Sequence, residues 1–221
     1  MRIFLASISP RRKELLKRLG IKFRVLVPRL NEISFSPHLF PPPLVGGGQE
    51  GGAKKYALAL AKMKVESVKC RVQKGIIIGM DTIVVLGKEI LGKPKNRREA
   101  KRMVQMLSGK THDVITGIYL LLLPEGKSIS SYETTRVKFR QLTKTEIDRY
   151  IKTKEPYDKA GAYGIQGQAG LFVESINGCY FNVVGFPVAK FLKLLRNLIG
   201  DNTEELLTTE NTENTEILGS K

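Results

Sequence analysis

The chain has 221 residues, of which 37 are Lys or Arg and 21 are Asp or Glu, and its formal net charge is +16. This length suffices for one large domain or for two small lobes around a buried core. The apolar runs are too short to span a bilayer, and the N-terminus lacks the long apolar core of a signal peptide, so we expect a cytoplasmic protein with no membrane partner. The positive charge favours a polyanionic partner, either a nucleic acid or a polyphosphate metabolite.

Cysteine and histidine usage limits the metal chemistry. Cys70 and Cys179 are far apart in sequence and lack metal-ligand spacing, which is typical of free thiols in a reducing compartment. The two histidines, His38 and His112, cannot build a histidine-rich site. A bound metal would therefore be held by oxygen ligands, as Mg²⁺ or Mn²⁺ is.

The first helix places two arginines at its N-terminus. A short strand is predicted over 2–7, followed by a helix with Ser9 as N-cap and Pro10 as first residue. Arg11 and Arg12 then lie in the first turn, where the helix dipole disfavours cations. Free backbone N–H groups beside two guanidinium groups are typical of a phosphate site. Pairing of these arginines with surface acids is the alternative, and we favour the phosphate site.

A second short strand is predicted over 22–27, and residues 28–52 form a Pro/Gly-rich loop that is either a lid or a tolerated insertion. The helix predicted over 53–69 has Lys64 in the middle of its apolar face. A lysine there either extends past the edge of the core or meets a buried anion, and we favour the anion.

The run 76–86 is β-branched and apolar throughout, which predicts a strand buried on both faces. Asp81 lies in its middle. A carboxylate in such surroundings needs a cation, a metal or hydrogen-bond donors. From this stretch alone, a turn-capping role and a functional role for Asp81 have equal weight. Lys93, held between a glycine and a proline, reads on its own as a surface turn residue.

The remaining chain alternates strands and helices. We predict a helix over 96–108, antiparallel strands over 111–123 and 128–140, a helix over 143–152, a hairpin over 171–184 and a helix over 187–199. Gln166, in the glycine-rich loop 155–167, could present its amide to the edge of a base. His112 is more typical of a structural residue than of a catalyst. We expect one mixed α/β domain over 1–200 and a disordered acidic tail over 201–221.

Three ordered blocks of sequence carry a family resemblance. They are Leu5-Ala6-Ser7 with Ser9-Pro10-Arg11-Arg12, then Gly79-Met80-Asp81-Thr82 with Leu91-Gly92-Lys93-Pro94 and Ser108-Gly109-Lys110-Thr111-His112, and finally 158–167 with Asn182-Val183-Val184-Gly185. Together they resemble the Maf family of nucleotide pyrophosphatases, in its dTTP/UTP pyrophosphatase branch. The resemblance implies the Maf/Ham-like (ITPase-like) fold, an α/β fold with a mixed twisted sheet flanked by helices and two lobes with a cleft between them.

The resemblance also implies an activity and a set of site residues. The activity is hydrolysis of dTTP, UTP or a noncanonical nucleotide to the monophosphate and pyrophosphate, with a divalent metal cation as cofactor. Asp81 corresponds to the proton acceptor. A bound metal could also be held by Asp81, which is then base, metal ligand or both, and Glu32 is the other candidate ligand. The residues that correspond to substrate specificity are Arg11, Thr82 and Gln166. The residues expected to bind phosphate are Ser7, Arg12, Lys64 and Lys93.

Some features depart from the family pattern, and two other functions remain open. Met80 stands where the family usually has alanine, and the loop 28–52 interrupts the acidic segment that includes Glu32. A 7-methyl-GTP pyrophosphatase of the same fold is one alternative, against which Thr82 argues. A nucleic-acid-binding or cell-division regulator is the other. It would explain the charge but not Asp81, and the chain shows no recognition-helix or aromatic RNA-binding motif, so no stable nucleic-acid partner is expected. A homodimer is compatible with the family, and some members are linked to septum formation.

Overall fold

The apolar run that contains Asp81 forms a 12-residue central strand of a seven-stranded mixed sheet. The computed structural model describes residues 1–29 and 49–200, with the backbone alone at 49 and 50. The strands are β1 (Ile3–Leu5), β2 (Arg24–Val25), β3 (Gly75–Leu86), β4 (Glu89–Leu91), β5 (Thr111–Leu123), β6 (Lys127–Phe139) and β7 (Val173–Asn177). The helices are α1 (Pro10–Arg18), α2 (Gln49–Glu66), α3 (Arg97–Leu107), α4 (Lys144–Tyr150), α5 (Tyr180–Val184) and α6 (Val188–Ile199).

The strand order is β2-β1-β3-β5-β6-β7, and β4 pairs with the end of β3. β1 is parallel to β2 and β3, whereas every other pairing is antiparallel. The predicted mixed α/β fold, with a mixed sheet flanked by helices, is confirmed. None of the helices in the described ranges has the length and apolarity needed to cross a bilayer.

The two faces of β3 pack differently because its side chains alternate between them. On one face, α2 covers Ile77 and Ile83. On the opposite face the core has two parts. Ile76, Ile78 and Met80 pack with α1 and α6, whereas Val84 packs with α3 and α4. Thr82 lies between these two apolar clusters, so the division of the core fits the two-lobed prediction.

Several sequence-based boundaries need correction. The predicted hairpin over 171–184 is wrong: β7 pairs with β6, but the next segment forms α5 rather than a strand. The physical reason is the buried side chain of Asn182, which donates to Val114 O and holds this segment on the face of the sheet. The predicted loop 28–52 is too long, because 49–52 belong to α2. Its residues 30–48, and the predicted tail 201–221, lie outside the described residues.

Candidate active site

Asp81 on β3 and Lys64 on α2 form an ion pair. The Asp81 side chain is 19% exposed and that of Lys64 is 21% exposed. The Lys64 ammonium donates to Asp81 Oδ1 and, at 3.2 Å, to the carbonyl oxygen of Met80. Burial lowers the pKa of Lys64, and the negative charge of Asp81 opposes that shift. The interpretation of Lys64 as a lysine facing an anion inside the fold is confirmed, and Asp81 is the anion.

Two glycines bring α2 close enough to the sheet for this pair to form. A Cβ on Gly79 would lie 2.2 Å from the carbonyl oxygen of Ala61, and a Cβ on Gly117 would lie 2.4 Å from that of Ala57. Both contacts are with helix backbone, which cannot move aside as a flexible side chain can. The helix therefore rests directly on β3 and β5, about one and two turns before Lys64.

Arg12 is buried and joins three parts of the chain. Its Nε donates to Gly185 O at 2.9 Å, and its Nη1 donates to Met80 O at 2.9 Å and to Ser7 Oγ at 3.3 Å. Its Nη2 donates to Thr82 Oγ1 at 3.0 Å. Burial lowers its pKa, and the charge of Asp81 counteracts this effect. Four of the five guanidinium N–H groups thus serve protein acceptors. Phosphate binding by Arg12 stays a prediction, for which one N–H group has no acceptor among residues 1–29 and 49–200.

Ser7, at the end of β1, is buried and oriented by its neighbours. Its Oγ accepts from the Ser9 amide at 3.2 Å and from Arg12 Nη1 at 3.3 Å. A hydroxyl oxygen that accepts twice still has its own hydrogen to donate. The geometry is therefore compatible with the predicted donation from Ser7 to a phosphate oxygen.

A line of polar side chains crosses the sheet face between the two apolar clusters, and we call it the polar seam. Its members are Arg12, Thr82, Thr116, Thr135 and Asn182. Thr82 Oγ1 lies 2.9 Å from Thr116 Oγ1, and Thr116 Oγ1 lies 3.5 Å from Asn182 O. Asn182 Nδ2 donates to Thr135 Oγ1 at 3.0 Å. Asn182 Oδ1 is buried without a partner among the described residues.

His112 belongs to the second apolar cluster rather than to the Asp81 site. Its Nε2 lies 2.8 Å from the Tyr163 hydroxyl, and its ring packs edge-on against Phe139 and Tyr163. Burial lowers the pKa of His112 to about 4 and raises that of Tyr163, so both side chains are neutral near pH 7. The prediction of a structural histidine is confirmed.

The loop that carries Gln166 is fastened by Glu155. The Glu155 carboxylate accepts from the amides of Gln168 at 2.8 Å and Ala169 at 3.3 Å. The Tyr150 hydroxyl donates to it as well, at 3.3 Å. Gln166 itself is exposed at a turn, so its side chain is available to a ligand. Its predicted role in specificity stays a prediction.

Lys93 and Arg11 each lie next to the glycine-rich segment 155–167. Lys93 is exposed in the loop after β4, and its positive charge contributes to lowering the pKa of Lys64, which places it on the side of the Asp81 pair. That loop is tied to the glycine-rich segment because Gly161 N donates to Gly92 O at 3.0 Å. Arg11 Nη1 lies 4.0 Å from Asp158 Oδ2. Arg11 thus links α1 to the start of the glycine-rich segment.

The described residues contain no group of three or more His, Cys, Asp or Glu side chains that could hold a metal ion. Asp81 is the predicted metal ligand within the described ranges, and Glu32 lies outside them. One carboxylate still fits a magnesium-type site, because Mg²⁺ is usually bound through one or two carboxylates together with substrate phosphates.

Sequence reasoning singles out Asp81, Lys64 and Arg12 as candidates but misses Thr116 and the buried position of Asn182. Thr116 looks like an ordinary strand residue, and its partner Thr82 is 34 positions away. Only the β3–β5 register, which pairs these two threonines, brings them together. Asn182 belongs to the third of the family-like blocks, but nothing in the neighbouring sequence indicates that its side chain is buried.

The α/β domain holds an aspartate–lysine ion pair beside the buried guanidinium group of Arg12. This arrangement is typical of a protein that binds anionic ligands. The chain belongs to the Maf-like protein family, whose model matches residues 2–198, and the predicted resemblance is confirmed. Among curated relatives, a dTTP/UTP pyrophosphatase of Carboxydothermus hydrogenoformans is 45% identical over 89% of this chain and 98% of its own length. Two proteins with the same name, from Desulforamulus reducens and Bacillus cytotoxicus, are each 44% identical to this chain over 88% of its residues. The aligned regions cover 95% and 94% of their respective lengths.

Proposed function

We propose that this protein is a nucleoside triphosphate pyrophosphatase that hydrolyses dTTP and UTP to the monophosphate and pyrophosphate with the help of Mg²⁺ or Mn²⁺. The observation that carries the proposal is the Asp81–Lys64 ion pair, which lies inside the fold beside the guanidinium group of Arg12. The name shared by relatives at 44–45% identity over most of the chain supports the substrate class.

The chemistry asks for charge neutralisation, a positioned water and a base, rather than covalent machinery. Asp81 is the base in this proposal and accepts the proton of the attacking water. Lys64 is well placed to exchange its contact with Asp81 for a phosphate oxygen, since both side chains are about one-fifth exposed. Ser7 and Lys93 would donate to other phosphate oxygens.

A divalent cation fits the oxygen ligands that Asp81 and the substrate phosphates would supply. When bound, it would neutralise charge on the phosphate oxygens. Glu32 would be a further ligand. Arg11, Thr82 and Gln166 would distinguish between bases, and we retain a homodimer as a family expectation that light scattering would test.

The test is pyrophosphate release by the full chain from a panel of dTTP, UTP, dCTP, CTP, ATP, GTP and 7-methyl-GTP, with Mg²⁺ or Mn²⁺. We expect turnover of dTTP and UTP. In Asp81→Asn, turnover should fall by a factor of about 10² to 10⁴, the usual contribution of a general base, while circular dichroism and thermal unfolding show an intact fold.

A matched control is Asp148→Asn, because Asp148 also pairs with a lysine, Lys101, but at the surface between α3 and α4. This variant should turn over dTTP like the wild type. Undiminished turnover by Asp81→Asn would refute the assignment, and selective turnover of 7-methyl-GTP would move the protein to the other branch of the fold.

A further inference from the structure

Three hydroxyl and carbonyl groups of the polar seam continue the contacts of the Arg12 guanidinium. Arg12 Nη2 lies 3.0 Å from Thr82 Oγ1, which lies 2.9 Å from Thr116 Oγ1. Thr116 Oγ1 in turn lies 3.5 Å from the carbonyl oxygen of Asn182. Arg12, Thr116 and Asn182 are buried, whereas Thr82 is only partly buried.

We call the series that runs from Arg12 through Thr82 and Thr116 to the Asn182 carbonyl the relay. The chemistry of its two end groups gives the hydrogen bonds of the relay a direction. A guanidinium can only donate and a carbonyl oxygen can only accept, whereas each threonine hydroxyl has one hydrogen. If Thr82 donates to Thr116, then Thr116 can donate to Asn182 O, and every hydroxyl hydrogen has an acceptor. If Thr116 donates to Thr82, the contact with Asn182 O is lost and the Thr82 hydrogen has no acceptor among the described residues. The first arrangement therefore has one more hydrogen bond.

Asn182, at the end of the relay, is held in place independently of any ligand. Asn182 Nδ2 donates to Val114 O at 2.9 Å and to Thr135 Oγ1 at 3.0 Å. These bonds hold α5 on the sheet and keep the Asn182 carbonyl at the position that Thr116 faces. The acceptor that orients the relay thus belongs to the protein rather than to a substrate.

We propose that Thr116 is a specificity-determining residue, because it accepts the hydroxyl hydrogen of Thr82 and leaves Thr82 with a lone pair to offer. This inference rests on the proposed function, in which Thr82 contacts the nucleotide. A lone pair selects a ligand that donates. The bases of dTTP and UTP carry an N–H group at ring position N3, whereas the base of dCTP carries an unprotonated nitrogen there. Thr116 does not touch the substrate, so it is a positioning residue.

Thr116→Val tests the relay, because valine has nearly the shape of threonine and lacks the hydroxyl. Without its acceptor, the Thr82 hydroxyl is free to turn its hydrogen toward the ligand. We expect the ratio of kcat/KM for dTTP to that for dCTP to fall by about tenfold or more, since a site matched to one hydrogen-bonding partner loses its discrimination when the match is lost. Thr116→Ser keeps the hydroxyl and should change this ratio by no more than about twofold.

A double-variant comparison separates orientation from packing. In a Thr82→Val background, Thr116→Val should leave the dTTP:dCTP ratio unchanged, since the group that it orients is gone. A wild-type ratio in Thr116→Val would overturn the proposal. So would an equal fall in Thr116→Val and Thr116→Ser, or a further fall in the Thr82→Val background.

The hydrogen bond from Thr82 to Thr116 can also be measured without substrate turnover. A failure of this inference can therefore be distinguished from a failure of the proposed function. Absence of dTTP and UTP hydrolysis by the wild-type protein would refute the proposed function alone. In the nucleotide-free protein, NMR should show a Thr82 hydroxyl proton that exchanges slowly with water and gives a cross-peak to the Thr116 side chain. Exchange should become rapid in Thr116→Val. Rapid exchange in the wild-type protein would overturn the relay.

Discussion

The carboxylate of Glu155 occupies the space that a side chain at position 167 would need, because a Cβ on Gly167 would lie 2.4 Å from Glu155 Cδ. The same carboxylate accepts the amides of Gln168 and Ala169. Gly167 therefore leaves room for the Glu155 carboxylate, and the Glu155 carboxylate in turn fixes the turn next to Gln166.

Gly167→Ala should disturb the Gln166 loop without disturbing the sheet. The added methyl group displaces Glu155 and weakens its two amide contacts, so we expect kcat/KM for dTTP to fall by about tenfold, as small misplacements of positioning groups do. Steady-state kinetics on the nucleotide panel measure this change. Gly51→Ala is the control, because a Cβ there would meet nothing within 4 Å. Wild-type kinetics in Gly167→Ala would show that the loop does not contribute.

Gln166→Glu should alter base preference more than it alters metal dependence. The substitution replaces an amide that donates and accepts with a carboxylate that only accepts. The measurement is kcat/KM across the nucleotide panel, together with the Mg²⁺ concentration for half-maximal rate. Gln168→Glu is the neighbouring control, since that side chain is also exposed. An unchanged order of preference in Gln166→Glu would count against a base-reading role.

Lys64→Met should reduce both stability and turnover. It leaves the Asp81 carboxylate in a poorly hydrated position without its cation, so we expect the free energy of unfolding to fall by about 1–3 kcal/mol in urea titrations. Adding Asp81→Asn should recover much of that stability, because the unpaired charge is removed. Activity should stay lost in the double variant. Full turnover by Lys64→Met would mean that its ammonium serves only the fold.

Acidification should destabilise the protein through His112. Its pKa is about 4 in the folded chain and 6.5 in the reference state, so the unfolded chain binds the extra proton first as the pH falls. Stability is therefore fully present above pH 6.5 and declines toward pH 4, by about 3 kcal/mol for this one group. Urea titrations of the wild type and His112→Gln at several pH values measure the difference between them. Parallel pH dependences would contradict a buried neutral His112.

Much of the fold follows from local sequence signals. The strands at 75–86, 111–123 and 127–139 and the capped helices α3 and α4 match their predictions closely. The segment 171–184 does not, because its conformation depends on where Asn182 finds its hydrogen-bond partners across the sheet. A turn signal at Asn177-Gly178 is local, whereas that burial is not.

The same distinction applies to the site. Asp81 stands out in the sequence because a charge interrupts an apolar run, and Lys64 stands out because it falls on an apolar helix face. Arg12 was predicted to bind phosphate, but its principal partners are Ser7, Met80, Thr82 and Gly185, which only the folded chain brings together. Residue type indicates which chemistry is available, and the register of the sheet decides which groups meet.

The direct packing of α2 against the backbone of Gly79 and Gly117 has a practical consequence for protein engineering. Positions 79 and 117 admit no side chain at all, since even a methyl group would collide with helix carbonyls at 2.2 Å and 2.4 Å. A variant library aimed at new nucleotides should therefore keep both glycines fixed and place its diversity at 116 and 166. Such a library would sample substrate choice while leaving the distance between Lys64 and Asp81 untouched.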